Sequence, residues 1–371
     1  MRTQKMSSFI VMDIVREAGK FEDAIHFEVG QPDLPPSPAV KKAMHQAIDD
    51  DHFGYTESLG LYALRERICA HYQATYGVHV EPEQVLLTPG TSGAFLIAYA
   101  LTLKHSMRLG LSDPSYPCYK NFAHMMDIEP VFMPISKDDE YQLTPAHLRD
   151  RTLDALQISS PANPTGNLYS CENLQALVEY CEHHGIAFIS DELYHGLTYG
   201  KKAHSALEYG ENVFVINGFS KFYCMPGIRL GWIIVPKALV RKAEIVAQNL
   251  FISAPTLSQY GALEAFDMPY LESVRALFEE RRDYLYGALS EFFEIDAKPD
   301  GAFYLWANVS KYTDDSFEFA KKMLEEIHVA ATPGCDFGAN KTKQYLRFAY
   351  TREMSHMKEG VERIKEWLKT L

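Results

Sequence analysis

The sequence predicts an α/β protein, with a mainly parallel sheet covered by helices on both faces and a smaller α+β domain beside it. Three observations support this prediction. Short apolar runs alternate with amphipathic runs through the middle of the chain. Roughly the last hundred residues lose this alternation. The length of 371 residues exceeds what a single core usually supports, which favours two domains.

The predicted strands of the larger domain are short runs that are apolar throughout. Such runs are typical of strands buried on both faces, as in parallel sheets. In chain order they are QVLLT (84–88), MRLGLSD (107–113), ALQISS (155–160), IAFIS (186–190) and VFVING (213–218).

Two helices are predicted between these strands, over residues 92–105 and 171–185. The second follows Ser170, a plausible N-cap, and ends at Gly185. Strands that alternate with helices indicate parallel pairing, because a parallel strand needs a long crossover connection.

The C-terminal region begins with a long charged helix over residues 270–293. Strand-like runs follow, and a second charged helix closes the chain. We therefore divide the chain into residues 1–35, which pack with the smaller domain, residues 36–270, which form the larger domain, and residues 271–371, which form the smaller one.

Composition excludes several classes of partner. A net charge of −13 without a basic stretch argues against nucleic acid as a partner. The most apolar run, residues 93–103, is too short to cross a membrane. The six cysteines form no Cys-x-x-Cys pair, which is typical of reduced thiols, and we expect a cytoplasmic protein without a metal site.

Four predicted strands lead into residues with polar or small side chains. Their carboxyl ends precede Thr91 and Ser92 in a glycine-flanked turn, Asn163, Asp191, and Ser220 with Lys221. Ligand sites of parallel sheets lie at this edge. Taken singly, each residue is more often a cap, a turn residue or a surface group. Together they offer an anion cradle, an amide, a carboxylate and an amine at one edge.

Four motifs carry a resemblance to a known family. They are NPTG (163–166), DELY (191–194), SKFYCMPGIRLGW (220–232) and YLRFA (345–349). The chain resembles the fold-type-I pyridoxal-phosphate enzymes, and most closely the class I/II aminotransferases, from FEVGQPD (27–33) to YLRFA. The resemblance implies pyridoxal 5′-phosphate as the cofactor, and amino acids and 2-oxo acids as substrates.

The resemblance also implies roles for single residues. Lys221 would form the Schiff base with the cofactor aldehyde and then move a proton between the substrate Cα and the cofactor. Asp191 would pair with the pyridine nitrogen and stabilise its protonated form. Asn163 and Tyr194 would bond the phenolic oxygen, and Tyr116 would stack on the ring.

The cofactor phosphate would be bound by Thr91, Ser92, Ser220 and Arg229, since the planar arginine fork suits a phosphate. Tyr55 resembles a tyrosine that reaches the phosphate of the neighbouring subunit, which implies a homodimer with shared active sites.

The substrate would be bound by Arg347, which resembles the arginine that clamps the α-carboxylate through two parallel bonds. Asn163 and Gly30 would line the same pocket. Two features depart from the family pattern. Gly218 stands where relatives often have a hydroxyl, and no arginine lies between Arg241 and Arg275 to bind a distal carboxylate.

Two alternatives to an aminotransferase share part of this pattern. A carbon–sulfur β-lyase or a condensing synthase would share Lys221, Asp191 and Asn163, so these motifs separate the reactions poorly. A non-enzymatic cofactor-binding sensor would need a DNA-binding unit ahead of the core, and only about thirty residues stand there.

Overall fold

The computed structural model describes residues 2–371. Its α-helices are α1 (Ile10–Ala18), α2 (Pro38–Asp49), α3 (Tyr62–Tyr76), α4 (Gly90–Thr102), α5 (Cys118–Met125), α6 (Pro145–Leu148), α7 (Cys171–His184), α8 (Val240–Phe251), α9 (Thr256–Ala262), α10 (Met268–Leu289), α11 (Ser316–Ile327) and α12 (Met354–Leu368). Its strands are β1 (Ile25–His26), β2 (Val85–Pro89), β3 (Arg108–Asp113), β4 (Glu129–Pro134), β5 (Ala155–Ser159), β6 (Ala187–Asp191), β7 (Val213–Gly218), β8 (Leu230–Ile234), β9 (Glu294–Ile295), β10 (Tyr304–Asn308), β11 (Val329–Ala330), β12 (Thr332–Pro333) and β13 (Tyr345–Ala349).

A sheet of seven strands forms the centre of the molecule, in the order β2-β8-β7-β6-β5-β3-β4. Only β8 runs against the others, antiparallel to β2 and to β7. The connection between β7 and β8, residues 219–229, is too short for a helical crossover, so β8 returns beside β7 in the opposite direction. The mainly parallel sheet is confirmed, and it gains two strands, β4 and β8, that the sequence analysis did not identify.

Successive residues of each central strand pack into different cores on the two faces of this sheet. On β2, Val85 and Leu87 belong to the core that includes Leu64 of α3. Leu86 belongs to the opposite core, which includes Ile97 of α4. Both faces of the sheet are therefore covered by helices, which confirms the prediction and explains why its strands are apolar throughout.

The boundaries of the predicted elements agree closely with the structure. The Ser170 hydroxyl accepts the N–H of Asn173 and caps α7, which ends at Gly185 in the left-handed conformation. Helix α4 begins at Gly90, directly after β2. This abrupt strand-to-helix transition brings the start of α4 to the carboxyl edge of the sheet.

The C-terminal region contains a second sheet, antiparallel and four-stranded, in the order β12-β13-β10-β9. The N-terminal segment contacts this region. Strand β1 pairs with β11, with Ile25 opposite Val329. The Asp336 carboxylate accepts the N–H groups of Ile10 and Val11 at the start of α1, each at 3.3 Å. Among the described helices, none has the length and apolar character needed to cross a membrane.

Candidate active site

A cavity of about 240 Å³ opens at the carboxyl ends of β2, β5, β6 and β7. Eleven of the twelve predicted site residues line it: Gly30, Thr91, Ser92, Tyr116, Asn163, Asp191, Tyr194, Ser220, Lys221, Arg229 and Arg347. Tyr55 does not line it, and its side chain is 79% exposed on the surface.

The Lys221 amine is directed into the protein. Its Nζ donates a 2.6 Å hydrogen bond to the Gly30 carbonyl oxygen. Burial lowers the pKa of Lys221 to about 8; the positive charges of Arg347 and Arg229 add to this effect, and the Asp191 carboxylate opposes it. About a tenth of an amine with this pKa is unprotonated at pH 7, against fewer than about one in a thousand for an ordinary lysine. The unprotonated form is the one that attacks an aldehyde.

The Asp191 carboxylate is buried at the end of β6 and accepts two hydrogen bonds. The N–H of Leu193 donates to Oδ1 at 3.1 Å, and the Tyr119 hydroxyl donates to Oδ2. Burial raises the pKa of Asp191 to about 6, although both hydrogen bonds and the Lys221 charge lower it. The carboxylate is thus fixed in place and has no salt-bridge partner among the described residues, so it can accept a cationic group inside the cavity.

Arg347 lies on β13 in the small sheet and is buried, with 2% of its surface exposed. Its Nη1 donates to Asn163 Oδ1 at 2.8 Å, and its Nη2 donates to the Glu28 carbonyl oxygen at 2.6 Å and to Thr332 Oγ1 at 3.3 Å. Within the described chain, its buried Nε has no hydrogen-bond partner. An unsatisfied donor beside a cavity is suited to a carboxylate ligand.

The start of α4 is kept open by glycines. A Cβ on Gly90, whose φ is +68°, would lie 2.4 Å from Arg229 Nη2. A Cβ on Gly231 would lie 2.9 Å from the backbone nitrogen of Thr91. In the part of the chain that the structure describes, no side chain caps this helix start, so its first N–H groups and the Arg229 guanidinium are available to one anion. These donors fit the phosphate of pyridoxal 5′-phosphate.

Gly218 departs from the family pattern for a packing reason. A Cβ at this position would lie 3.1 Å from Gly231 Cα and 3.2 Å from both the Leu230 oxygen and Thr91 Cγ2. The backbones of β7 and β8 and the start of α4 therefore approach each other closely here. This close approach leaves too little room at position 218 for a side chain that carries a hydroxyl.

Two further tyrosines line the cavity and were missed by the sequence analysis. Tyr119 follows Tyr116 by three residues, about one turn away, and its hydroxyl reaches Asp191. Tyr304 lies on β10, and its hydroxyl oxygen is 2.7 Å from the Tyr194 hydroxyl oxygen. The three-residue spacing from Tyr116 was a local signal that pointed to Tyr119. No local signal marks Tyr304, because its position depends on contact between distant parts of the chain.

The N-terminal segment also contributes to the cavity wall, which the sequence analysis did not predict. Phe9 precedes α1, and Val11, Met12 and Val15 lie on it; all four line the cavity. Their side chains form an apolar wall.

Comparison with known proteins agrees with this geometry. The family model described as aminotransferase class I and II matches residues 22–364. The valine–pyruvate aminotransferase of Mycobacterium tuberculosis is 35% identical, over 97% of this chain and 96% of that protein. The (5-formylfuran-3-yl)methyl phosphate transaminase of Methanocaldococcus jannaschii is 36% identical, over 99% of this chain and 98% of that protein.

Solved structures show the same relationship. A crystal structure of an aminotransferase from Mycobacterium tuberculosis has a TM-score of 0.96 at 34% identity, and the match covers 100% of this chain and 99% of that one. Thermus thermophilus aspartate aminotransferase with maleate has a TM-score of 0.93 at 25% identity, over 98% of each chain. These relatives transfer amino groups, so the lyase and synthase alternatives are not favoured. The chain belongs to the class I and II aminotransferases, and it is a transaminase that depends on pyridoxal 5′-phosphate.

Proposed function

We propose that six residues carry out cofactor binding, substrate binding and catalysis in this transaminase: Lys221, Asp191, Asn163, Tyr194, Arg229 and Arg347. Its amino donors, in this proposal, are L-amino acids with uncharged side chains. The observation that carries the first part is their convergence. Side chains from the ends of β5, β6 and β7, from β13 and from the turn before β8 all line one cavity.

Binding of the cofactor is assigned to two groups of residues. The N–H groups at the start of α4, the hydroxyls of Thr91, Ser92 and Ser220, and Arg229 would bind its phosphate. Tyr116, Asn163, Asp191 and Tyr194 would contact its ring. When bound, pyridoxal 5′-phosphate supplies an electron sink for the electron pair left on the substrate Cα after deprotonation.

Lys221 has two tasks in this proposal, and both require an unprotonated amine. Nζ would hold the cofactor covalently at its aldehyde carbon, with loss of water. After displacement by the amino substrate, Nζ would take a proton from the substrate Cα and deliver it to the neighbouring cofactor carbon. The pKa near 8 fits a group that must both accept and release a proton near neutral pH.

Asp191 would stabilise a proton on the pyridine nitrogen. Its position at the carboxyl end of β6 is fixed by Leu193 and Tyr119, so the carboxylate needs no rearrangement to accept this proton donor. A buried ion pair of this kind is strong only when the carboxylate is well oriented and hydrogen-bonded.

Arg347 would bind the substrate α-carboxylate. An arginine has five N–H donors, and three hydrogen bonds to Asn163, Glu28 and Thr332 orient the guanidinium while Nε stays available. Asn163 thereby serves two groups, because it bonds Arg347 and lies beside the expected position of the cofactor ring.

The substrate side chain would lie against the apolar wall of the cavity. Among the described lining residues, the only cationic ones are Lys221, Arg229 and Arg347, and each already has a role. One subunit by itself therefore offers no further cation to a distal carboxylate. The proposal agrees with the activity for which the valine–pyruvate relative is named. We expect valine, leucine or alanine to exceed aspartate in kcat/KM, and pyruvate to exceed 2-oxoglutarate as the acceptor.

We also propose a homodimer that works in the cytoplasm, in amino acid biosynthesis. Phe53 and Tyr55 expose 64% and 79% of their surface, which is typical of side chains covered by a partner. All six cysteines are free thiols in the described chain, in keeping with a reducing compartment.

The decisive experiment for the reaction is the substitution Lys221→Ala. The variant should lose transamination and the visible absorbance of the covalently bound cofactor. Lys201→Ala, which removes an exposed lysine paired with Asp300, should change neither. Retention of both properties by the Lys221 variant would refute the assignment. A donor screen in which aspartate or glutamate gave the highest kcat/KM would refute the substrate class.

A further inference from the structure

Tyr304 contacts two residues to which the proposed function gives different tasks. Its hydroxyl lies 2.7 Å from the Tyr194 hydroxyl. Its ring lies beneath the Arg347 guanidinium, with 4.3 Å between the ring centroid and Arg347 Cζ. Phe337 covers the same guanidinium at 4.8 Å. Tyr304 is buried, with 2% of its surface exposed, and lines the cavity.

The register of the small sheet explains the contact with Arg347. Trp306 of β10 is directly opposite Arg347 of β13, and Tyr304 is two residues from Trp306 on the same strand. Residues two apart point to the same face, so Tyr304 is a diagonal neighbour of Arg347 and within reach of a long side chain. An arginine between two aromatic rings has its guanidinium plane fixed.

Hydrogen-bond accounting explains the contact with Tyr194. A phenol has one proton to donate and two lone pairs to accept with. If Tyr194 donates its only proton to the phenolic oxygen of the cofactor, its contact with Tyr304 requires Tyr304 to be the donor. A donor at Tyr304 therefore directs the Tyr194 proton toward the cofactor and strengthens that bond.

Gly30 leaves the space that Tyr304 uses. A Cβ at Gly30 would lie 1.9 Å from the Tyr304 hydroxyl oxygen. The carbonyl of the same glycine accepts the Lys221 amine at 2.6 Å. The Tyr304 hydroxyl is thus confined between the Gly30 backbone and Tyr194, and a side chain at position 30 would displace it.

We propose that Tyr304 is a positioning residue of the transaminase: its hydroxyl orients the Tyr194 proton, and its ring fixes the plane of the Arg347 guanidinium. This inference rests on the proposed roles of Tyr194 and Arg347. Since the two contacts use different parts of one side chain, conservative and non-conservative substitutions separate them.

The hydroxyl is tested by Tyr304→Phe in the holoenzyme. A donor that stabilises negative charge on the phenolic oxygen makes the Lys221 nitrogen lose its proton more readily. Loss of the Tyr304 hydroxyl should therefore raise the pH at which the Lys221 nitrogen is half deprotonated, by about half a pH unit for one neutral hydrogen bond. The absorbance of the bound cofactor, followed against pH, gives this midpoint. Tyr194→Phe should raise it further. Tyr350→Phe removes another buried hydroxyl, bonded to the Ala302 carbonyl oxygen at 3.3 Å, and should leave the midpoint unchanged.

The ring is tested by comparing KM for the amino donor. Tyr304→Phe keeps the ring and should leave KM within about twofold, whereas Tyr304→Leu should raise KM about threefold to tenfold through loss of the stacking on Arg347. Circular dichroism and the thermal midpoint of the Leu variant establish that it folds; should it not, Tyr304→Met serves as the second variant without a ring, with KM for the amino donor as the readout.

The outcomes separate this inference from the proposed function. A midpoint that moves in Tyr194→Phe and stays in Tyr304→Phe overturns the hydroxyl role alone. An unchanged KM in folded Tyr304→Leu overturns the ring role alone. A midpoint that stays in Tyr194→Phe instead contradicts the role of Tyr194, on which the inference rests.

Discussion

Arg347 Nη1 donates a 2.8 Å hydrogen bond to Asn163 Oδ1 and so connects the two sheets of the molecule. Arg347 lies on β13 of the four-stranded sheet, whereas Asn163 follows β5 of the seven-stranded sheet. The residue proposed to bind the substrate is therefore positioned by a residue proposed to bind the cofactor.

The planar fork of Arg347 should not be replaceable by lysine. Lysine keeps the charge but provides neither parallel donors nor the bond to Asn163 in the same geometry. We expect Arg347→Lys to raise KM for the amino donor about 10- to 100-fold, the range for losing a hydrogen bond to a charged group. Arg275→Lys, on the surface of α10, is the matched control and should leave KM unchanged. A wild-type KM in Arg347→Lys would contradict the clamp.

Capture of the cofactor by cofactor-free protein should depend on pH through Lys221. Its pKa is lowered from 10.5 to about 8, so the reactive amine appears as the pH rises through about 8. About half of the amine is unprotonated at that pH, against fewer than about one in a hundred for an ordinary lysine. Stopped-flow absorbance should show a capture rate that rises with pH around this midpoint.

A charge-removing variant checks the cause of this shift. Arg347→Gln removes a cation that disfavours protonated Lys221, so the midpoint should move to higher pH. The free cofactor titrates in the same way in the experiments on the wild type and on Arg347→Gln. Its contribution therefore cancels when the two midpoints are subtracted. Arg275→Gln should leave the midpoint where it is. A downward movement in Arg347→Gln would contradict the electrostatic account.

Tyr119 should keep Asp191 ionised. Tyr119→Phe removes one of two hydrogen bonds to a buried carboxylate, so the pKa of Asp191 should rise above its present value of about 6. A bond to a charged group corresponds to about one to two pH units. Cofactor affinity at pH 7, measured by equilibrium dialysis, should fall about twofold to tenfold, and by less at pH 9, where Asp191 is ionised again.

A second buried tyrosine provides the control for this variant. Tyr99 lies on α4 and donates to Gln157 Oε1 at 2.6 Å, not to Asp191. Tyr99→Phe should change stability but not the pH dependence of cofactor affinity. The same affinity loss at both pH values in Tyr119→Phe would show that Tyr119 acts only through packing.

The sequence predicted the sheet edge well because strand ends are local features. Asn163, Asp191 and Lys221 each follow an apolar run, and parallel pairing brings such ends together without further information. Tyr304 could not be found in this way, since its position depends on the register between β10 and β13 and on the space at Gly30. The wall formed by α1 was missed for a similar reason: its contact with Asp336 spans more than 320 residues.

Gly218 should resist the hydroxyl that relatives often carry. A side chain there would meet Gly231 Cα, the Leu230 oxygen and Thr91 Cγ2, all within 3.2 Å. Gly218→Ser should therefore lower the free energy of unfolding by about 1 to 3 kcal/mol, the usual cost of overpacking, without improving cofactor affinity. Urea unfolding measures this. Gly227→Ser, where a Cβ has open space, is the control. Unchanged stability with tighter cofactor binding would be the contrary result.

Tyr55 should act on the cofactor of the partner subunit. Its side chain is 79% exposed and absent from the cavity wall of its own chain, yet its sequence context matches a tyrosine that reaches a phosphate across the dimer. Tyr55→Phe should weaken cofactor affinity about tenfold, as expected for one bond to a charged group. Tyr62→Phe, another exposed tyrosine nearby in sequence, should not.

Mixed dimers distinguish this shared site from a local effect of Tyr55. In a Tyr55→Ala homodimer, both sites lack the tyrosine. In a Lys221→Ala homodimer, both sites lack the lysine. In a mixed dimer, the intact Lys221 of one chain meets the intact Tyr55 of the other, so one of the two sites is complete. Random mixing makes half of the dimers mixed, so at a cofactor concentration too low to load Tyr55→Ala sites, activity should recover to about a quarter of wild type. If Tyr55 acted within its own chain, no site would be complete, and mixing would restore nothing.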